Sequence, residues 1–151
     1  MGYQVEYLAK LEPVSARKWL SRFDGFWIEP ESDEDLPYAE LRLWNDIYLH
    51  VDLGKVAARF SIPQIKYSWL LRQHQPAIAV IERFEQLIVE TMPFVPFLRL
   101  DEMIWEDWEK DAGSWDKLAD PVESLCRWLV KSNQEADYFR IFPTPSVDNN
   151  R

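Results

Sequence analysis

The chain has 151 residues, 47% of them apolar, and carries 26 acids against 17 bases for a net charge of −9. This length and apolar content suit one domain with a real core and exclude disorder over the whole chain. One cysteine and two histidines exclude a disulfide framework, a cysteine-cluster zinc site and a multi-histidine metal centre, and the negative field argues against direct nonspecific binding to nucleic-acid phosphates.

Met1-Gly2-Tyr3-Gln4-Val5-Glu6 lacks the basic and then apolar pattern of a secretory signal. Glu6 stands where a myristoylation signal needs Ser or Thr. No apolar run approaches the ~18 residues of a membrane span. The expected compartment is the cytoplasm, which the lone Cys126 suits.

Tyr3, Val5, Tyr7, Ala9 and Leu11 alternate with Gln4, Glu6 and Lys10, which predicts a strand with one buried face. Pro13 suits the first turn of a helix carrying Ala16, Trp19, Leu20 and Phe23, with Gly25 as its stop and Phe26-Trp27-Ile28 as a short strand. Glu29, Glu31, Asp33, Glu34 and Asp35, bracketed by Pro30 and Pro37, form a loop, because acids this dense repel one another and bury nothing.

Tyr38–Leu53 reads as a β-hairpin around Asn45-Asp46. A simple two-residue loop would place charged and apolar residues on one face. Pairing Trp44 with Tyr48 instead gathers Leu41, Leu43, Leu49, Val51 and Leu53, and leaves Glu40, Arg42, Trp44, Tyr48, His50 and Asp52 opposite. A one-residue slip moves every side chain to the other face, so the hydrophobic pattern decides, with a three-residue loop or a bulge absorbing the offset.

Ser61-Ile62-Pro63-Gln64 resembles a capping box, which predicts a helix through about Gln73. A second helix is expected from Pro76 to about Thr91, with Ala77, Val80, Ile81, Phe84, Leu87 and Ile88 inward. His74 is expected near a helix end where the dipole favours its positive form. Phe97–Leu100 suits an edge strand after Pro96. Asp101–Asp111 fits a helix, with Met103 and Ile104 toward the core. Asp120-Pro121-Val122-Glu123 starts another, whose stripe is Val122, Leu125, Cys126, Leu129 and Val130. Tyr138–Phe142 is a last strand, and residues 143–151 are expected to form a flexible tail.

The predicted fold is α+β: one domain over 1–142, a small antiparallel sheet of the N-terminal strand, the central hairpin and the C-terminal strand, with amphipathic helices on one face. The hydrolase, nucleotide-binding and metalloprotease motifs are missing from the sequence, and no cofactor or metal is expected. Cys126 lies in a helical stripe and reads as a core thiol. His50 and Asp52, two apart on a strand, share a face and suit general acid–base work, or else form an ordinary polar outer surface.

Eight tryptophans stand out. Trp19 and Trp69 suit the core, and Trp128 flanks it. Trp105, Trp108 and Trp115 lie among acids, including Glu106 and Asp107, and at least one is expected to reach solvent. Acidity is also uneven: Glu29–Gly54 holds eight acids and one base, and Asp101–Arg151 twelve acids and six bases. Aromatics on charged ground are typical of binding hot spots. The leading expectation is therefore an acidic protein-binding module of the inhibitor, antitoxin or immunity kind, or a nucleic-acid mimic. It would dock a basic partner through Trp44, Tyr48, His50, Trp105, Glu106, Asp107, Trp108 and Trp115, without touching nucleic acid or membrane. The alternative is a carboxylate-dependent enzyme such as a glycan hydrolase, using Glu40, Asp52 and His50 with Trp44 as a stacking platform.

Overall fold

A computed structural model describes residues 3–142. Among the described residues seven strands form a single antiparallel sheet, and five α-helices pack around it. In chain order the elements are β1 (Gln4–Ala9), α1 (Pro13–Leu20), β2 (Gly25–Ile28), β3 (Tyr38–Arg42), β4 (Tyr48–Leu53) and β5 (Ala58–Lys66). They continue with α2 (Tyr67–Leu71), α3 (Gln75–Thr91), β6 (Phe97–Asp101), α4 (Glu102–Ala112), α5 (Pro121–Lys131) and β7 (Phe139–Phe142). Across the sheet the order is β2-β3-β4-β5-β1-β6-β7. No helix among the described residues is long and apolar enough to cross a membrane. The expected tail, 143–151, lies outside the described residues.

Helices cover both faces, not one. Trp19 and Leu20 of α1 and Val80, Ile81, Phe84 and Ile88 of α3 join Val5, Tyr7, Leu49, Val51 and Phe60 in one core. Ile104, Trp105 and Trp108 of α4 and Leu125 and Leu129 of α5 join Leu8, Leu98 and Leu100 in a second. β1 is therefore buried on both sides, and Glu6 and Leu8 are each fully enclosed. Alternation in β1 points to a single apolar face because Glu6 is polar, yet its charge is matched inside by Arg59.

The hairpin resolves the register conflict with a bulge. Asn45 and Asp46 both adopt positive φ, 56° and 59°, as a type I′ turn requires. Ile47 N–H donates to the Trp44 carbonyl, and Leu43 N–H donates to Ile47. Two residues on one strand thus oppose Ile47, and the offset aligns Leu41 with Leu49 and Ala39 with Val51. Leu41, Leu43, Leu49, Val51 and Leu53 are buried, as expected, but Tyr48 faces Arg42 and not Trp44.

The capping box is overturned. Residues 58–66 form the longest strand, with Ala58, Phe60 and Ile62 buried on one face. Ser61 donates its hydroxyl to Glu6. Gln64 accepts from Tyr48 N–H and donates to the Asp46 carbonyl, which fastens β5 to the turn. Pro63 is tolerated because the β1 ladder shifts register between Val5·Ile62 and Gln4·Lys66. Helix begins only at Tyr67.

β6 is interior, between β1 and β7, since Pro96 precedes the strand and removes no ladder donor. α1 stops at Leu20, and Gly25 serves β2: a Cβ there would sit 2.2 Å from the Glu40 carbonyl oxygen. His74 caps the start of α3, where Nδ1 accepts from Ala77 N–H, so it stands at a helix N-terminus and not at the helix end expected. In α5 Val130 is exposed and Cys126 half-buried, because the buried stripe is narrow and runs through Val122, Leu125 and Leu129.

A second buried carboxylate organises the α3 side. Glu85 accepts from Tyr7 Oη at 2.7 Å, Arg99 at 2.7 Å and Arg140 at 3.2 Å. A buried charge is tolerated only when it is paired and hydrogen-bonded in this way.

Candidate functional site: the uncovered half of the sheet

α4 and α5 pack over β1, β6 and β7, and Trp105 of α4 extends this cover to Arg59 of β5. Period-two geometry then assigns the rest. Phe26 and Ile28 of β2, Tyr38, Glu40 and Arg42 of β3, Tyr48, His50 and Asp52 of β4, and Arg59 and Ser61 of β5 share one surface. Cross-strand register arranges them in two rows. One runs Phe26, Glu40, His50, Ser61, Glu6; the other runs Ile28, Tyr38, Asp52, Arg59, Leu8.

The first row is polar throughout after its aromatic edge. His50 Nε2 lies 3.1 Å from Glu40 Oε1, and the Tyr38 ring meets the imidazole edge-on at 5.7 Å. Glu6 accepts from Ser61 Oγ at 2.7 Å and Arg59 Nε at 2.9 Å, and also from Gln4. Ser61 is thereby engaged with Glu6 and is not set up as a nucleophile for His50. Arg59 sits over Trp105, its guanidinium carbon 4.3 Å from the ring centre, so α4 and the floor of the sheet are joined by a cation–π contact.

Asp52 is the perturbed acid of the second row. Burial pushes its carboxyl above the ordinary aspartate range; Arg59 opposes the shift, while Glu6 and Asp116 add to it. Burial also raises the Tyr38 phenol, helped by Glu40 and Asp52. At the end of these rows the acidic loop folds back to form a cleft of about 590 Å³. Glu29, Glu31, Glu34, Asp35, Asp52 and Asp116 line it, with Ile28 and Leu36 as apolar walls. Among the described residues no group of three or more His, Cys, Asp or Glu side chains is placed to hold a metal ion.

The expected site residues separate into three sets. Tyr48 and His50 stand on this surface, half-buried. Trp44 does not: its bulge turns it to the other face, where it packs edge-on against Phe23 at 6.3 Å and under Arg83 at 4.1 Å. It cannot serve as a stacking platform beside Glu40 and Asp52.

Trp105, Trp108 and Trp115 form a third set and are buried, at 1%, 0% and 5% exposure, which corrects the expectation that one reaches solvent. Trp105 meets Trp108 edge-on at 5.3 Å and Trp115 at 6.1 Å. Glu109 accepts from Trp105 Nε1 and from Trp115 N–H, and Ser124 from Trp108 Nε1. The indole N–H groups of Trp105 and Trp108 are satisfied inside, so nothing draws those two rings to the surface. Ile104 points inward as expected, whereas Met103 is exposed. Glu106 and Asp107 remain on the outer face of α4, without exposed tryptophan beside them.

Phe26 and Ile28 were not singled out from the sequence, yet they are 52% and 55% exposed beside the acidic cleft. Two hydrophobics flanking Trp27 in a short strand signal only a strand. Their exposure follows from α4 reaching only as far as Arg59 of β5, well short of β2. Comparison with known proteins finds no matching family model, no matching curated protein and no matching solved structure.

Proposed function

We propose that the chain is an acidic docking module for a basic protein surface, of the inhibitor, antitoxin or immunity kind, and that docking runs over the uncovered half of the sheet. The supporting observation is the juxtaposition of exposed Phe26 and Ile28 with a cleft walled by six carboxylates. Exposed apolar side chains ringed by charge supply the two components of such a contact. The apolar pair holds the complex together, and the acids speed encounter with a cationic partner. The Ile28 and Leu36 walls suit the methylene stem of a lysine or arginine whose charged head meets the carboxylates. Carboxylates spaced along a loop also present the field of a phosphate backbone, which is the basis of the nucleic-acid mimic variant.

The test is affinity capture of the partner followed by kinetics on three forms of the chain. Glu34→Lys with Asp35→Lys should slow association and flatten its salt dependence, and Phe26→Ser with Ile28→Ser should speed dissociation. Glu106→Lys with Asp107→Lys on α4 should leave both rates near wild type. If only the α4 variant loses binding, the docking surface is the Asp101–Trp115 segment and this reading fails.

The Glu40–His50 pair beside an Asp52 of raised pKa favours a second reading, a carboxylate-dependent hydrolase with Tyr38 and Tyr48 as the aromatic floor. Turnover of an oligosaccharide panel that disappears in Asp52→Asn and Glu40→Gln would support it. A panel left intact by wild type would remove it.

A further inference from the structure

We infer that the free edge of β2 is a strand-addition site for an extended segment of alternating basic and apolar residues; the inference rests on the docking reading above and specifies how the partner binds. Arg42 N–H donates to the Asp24 carbonyl at 2.7 Å, which makes Asp24 and Arg42 a hydrogen-bonded cross-strand pair. Antiparallel ladders alternate bonded and non-bonded pairs. Phe26 with Glu40 and Ile28 with Tyr38 are then bonded pairs, and Gly25 and Trp27 aim their N–H and carbonyl groups away from β3. β2 is the terminal strand of the sheet, and among the described residues no side chain or loop backbone bonds to those outward groups.

Proteins usually blunt such an edge with lysine, proline or an inward charge. β2 reads Gly-Phe-Trp-Ile, with no charge and no proline. At the other terminus of the sheet, β7 carries Arg140, which is tied to Glu85. The unblunted edge is thus the one beside the acids.

An added strand would lie about 4.8 Å from β2, with alternate side chains next to Phe26 and Ile28. Beyond Ile28 the chain continues into five acids without a base, so a segment longer than β2 would run its remaining side chains past carboxylates. Arg17 already demonstrates the chemistry from within the molecule. Its guanidinium carbon sits 4.3 Å from the Trp27 ring centre, and it pairs with Glu29 at 2.7 Å. Arginine on the added strand would combine exposed Phe26 with cleft carboxylates that Arg17 does not engage.

The probe is an acetylated, amidated hexapeptide of alternating arginine and valine, with a glutamate–valine peptide as the charge control. Two further versions of the arginine peptide, isomers of each other, carry N-methyl groups on alternate backbone nitrogens, one in each register. All three arginine peptides share one charge. Binding is followed by fluorescence anisotropy, and amide hydrogen exchange is read at Gly25 and Trp27. Strand addition predicts that the parent peptide binds and slows exchange at these two amides. One methylated isomer should weaken by about tenfold or more, the other should bind nearly as the parent does, and the glutamate peptide should not bind. Equal binding by both isomers, with Trp27 exchange unchanged, would overturn the inference. If Phe26→Ser still weakened the parent peptide in that case, the docking reading would survive it. No binding by any arginine peptide would remove both. A concentration-dependent dimer that protects Trp27 without peptide would assign the edge to a second copy of the chain and likewise overturn the inference.

Discussion

Replacing Trp108 with alanine should lower folding stability by about 3–5 kcal/mol. Trp108 is fully enclosed, meets Trp105 edge-on and donates to Ser124 Oγ at 3.3 Å. A buried tryptophan removes roughly 150–250 Å² from water, which at ~25 cal/mol per Å² is about 4–6 kcal/mol as an upper bound. Urea unfolding followed by circular dichroism measures the loss. With a slope of roughly 2 kcal/mol per molar, the midpoint should fall by about 2 M. The control is Glu106→Lys with Asp107→Lys on the outer face of the same helix, which should stay within about 0.5 kcal/mol of wild type. Where Trp108→Ala does not fold, Trp108→Phe retains an aromatic ring and should lie between alanine and wild type. A Trp108→Ala chain within about 1 kcal/mol of wild type would refute the burial of α4 against the sheet. It would also return Trp108 to the surface as a candidate anchor.

Asp52→Asn should stabilise the fold at neutral pH, because a carboxyl raised by burial is destabilising while it is ionised. The gain is full above the folded pKa and should vanish as pH falls to the ordinary aspartate range, as paired urea titrations would show. Asp120→Ala should cost about 1 kcal/mol, since the carboxylate accepts from Glu123 N–H at the start of α5. That N–H holds the Asp120 pKa below its ordinary value, helped by Lys10, so the deficit should be complete above the ordinary aspartate range and fade as pH falls through the lowered folded value. The Cys126 thiol is pushed up by burial and then by Asp120 and Glu123, so a thiol reagent at neutral pH should label it far more slowly in the native than in the denatured chain.

Elements set by local chemistry were legible in the sequence. α5 announces itself through Asp120, Pro121 and Glu123, and the hairpin through Asn45-Asp46 with leucines that demand one face. α3 and α4 follow from their spacing. What stayed hidden depends on neighbours distant in sequence. Ser61 and Gln64 satisfy the spacing of a capping box, but Glu6 and the hairpin turn claim their side chains. Glu6 reads as a solvent-facing residue until Arg59, far along the chain, is placed beside it. The tryptophans of α4 lie among acids in sequence, yet Glu109 satisfies two of their neighbouring donors from inside, and the other acids turn outward. Of the candidate site, Tyr48, His50 and Asp52 were accessible from strand period. Phe26, Ile28 and Asp116 required knowing where the helices stop.

The most direct test of the account is a heteronuclear NMR titration of the whole chain with the arginine–valine hexapeptide. Shifts confined to Gly25–Asp35, Tyr38, His50, Asp52 and Asp116, weakening with added salt, are the predicted result. Shifts centred on Glu106, Asp107 and the outer face of α4, with the β2 edge unmoved, would contradict it.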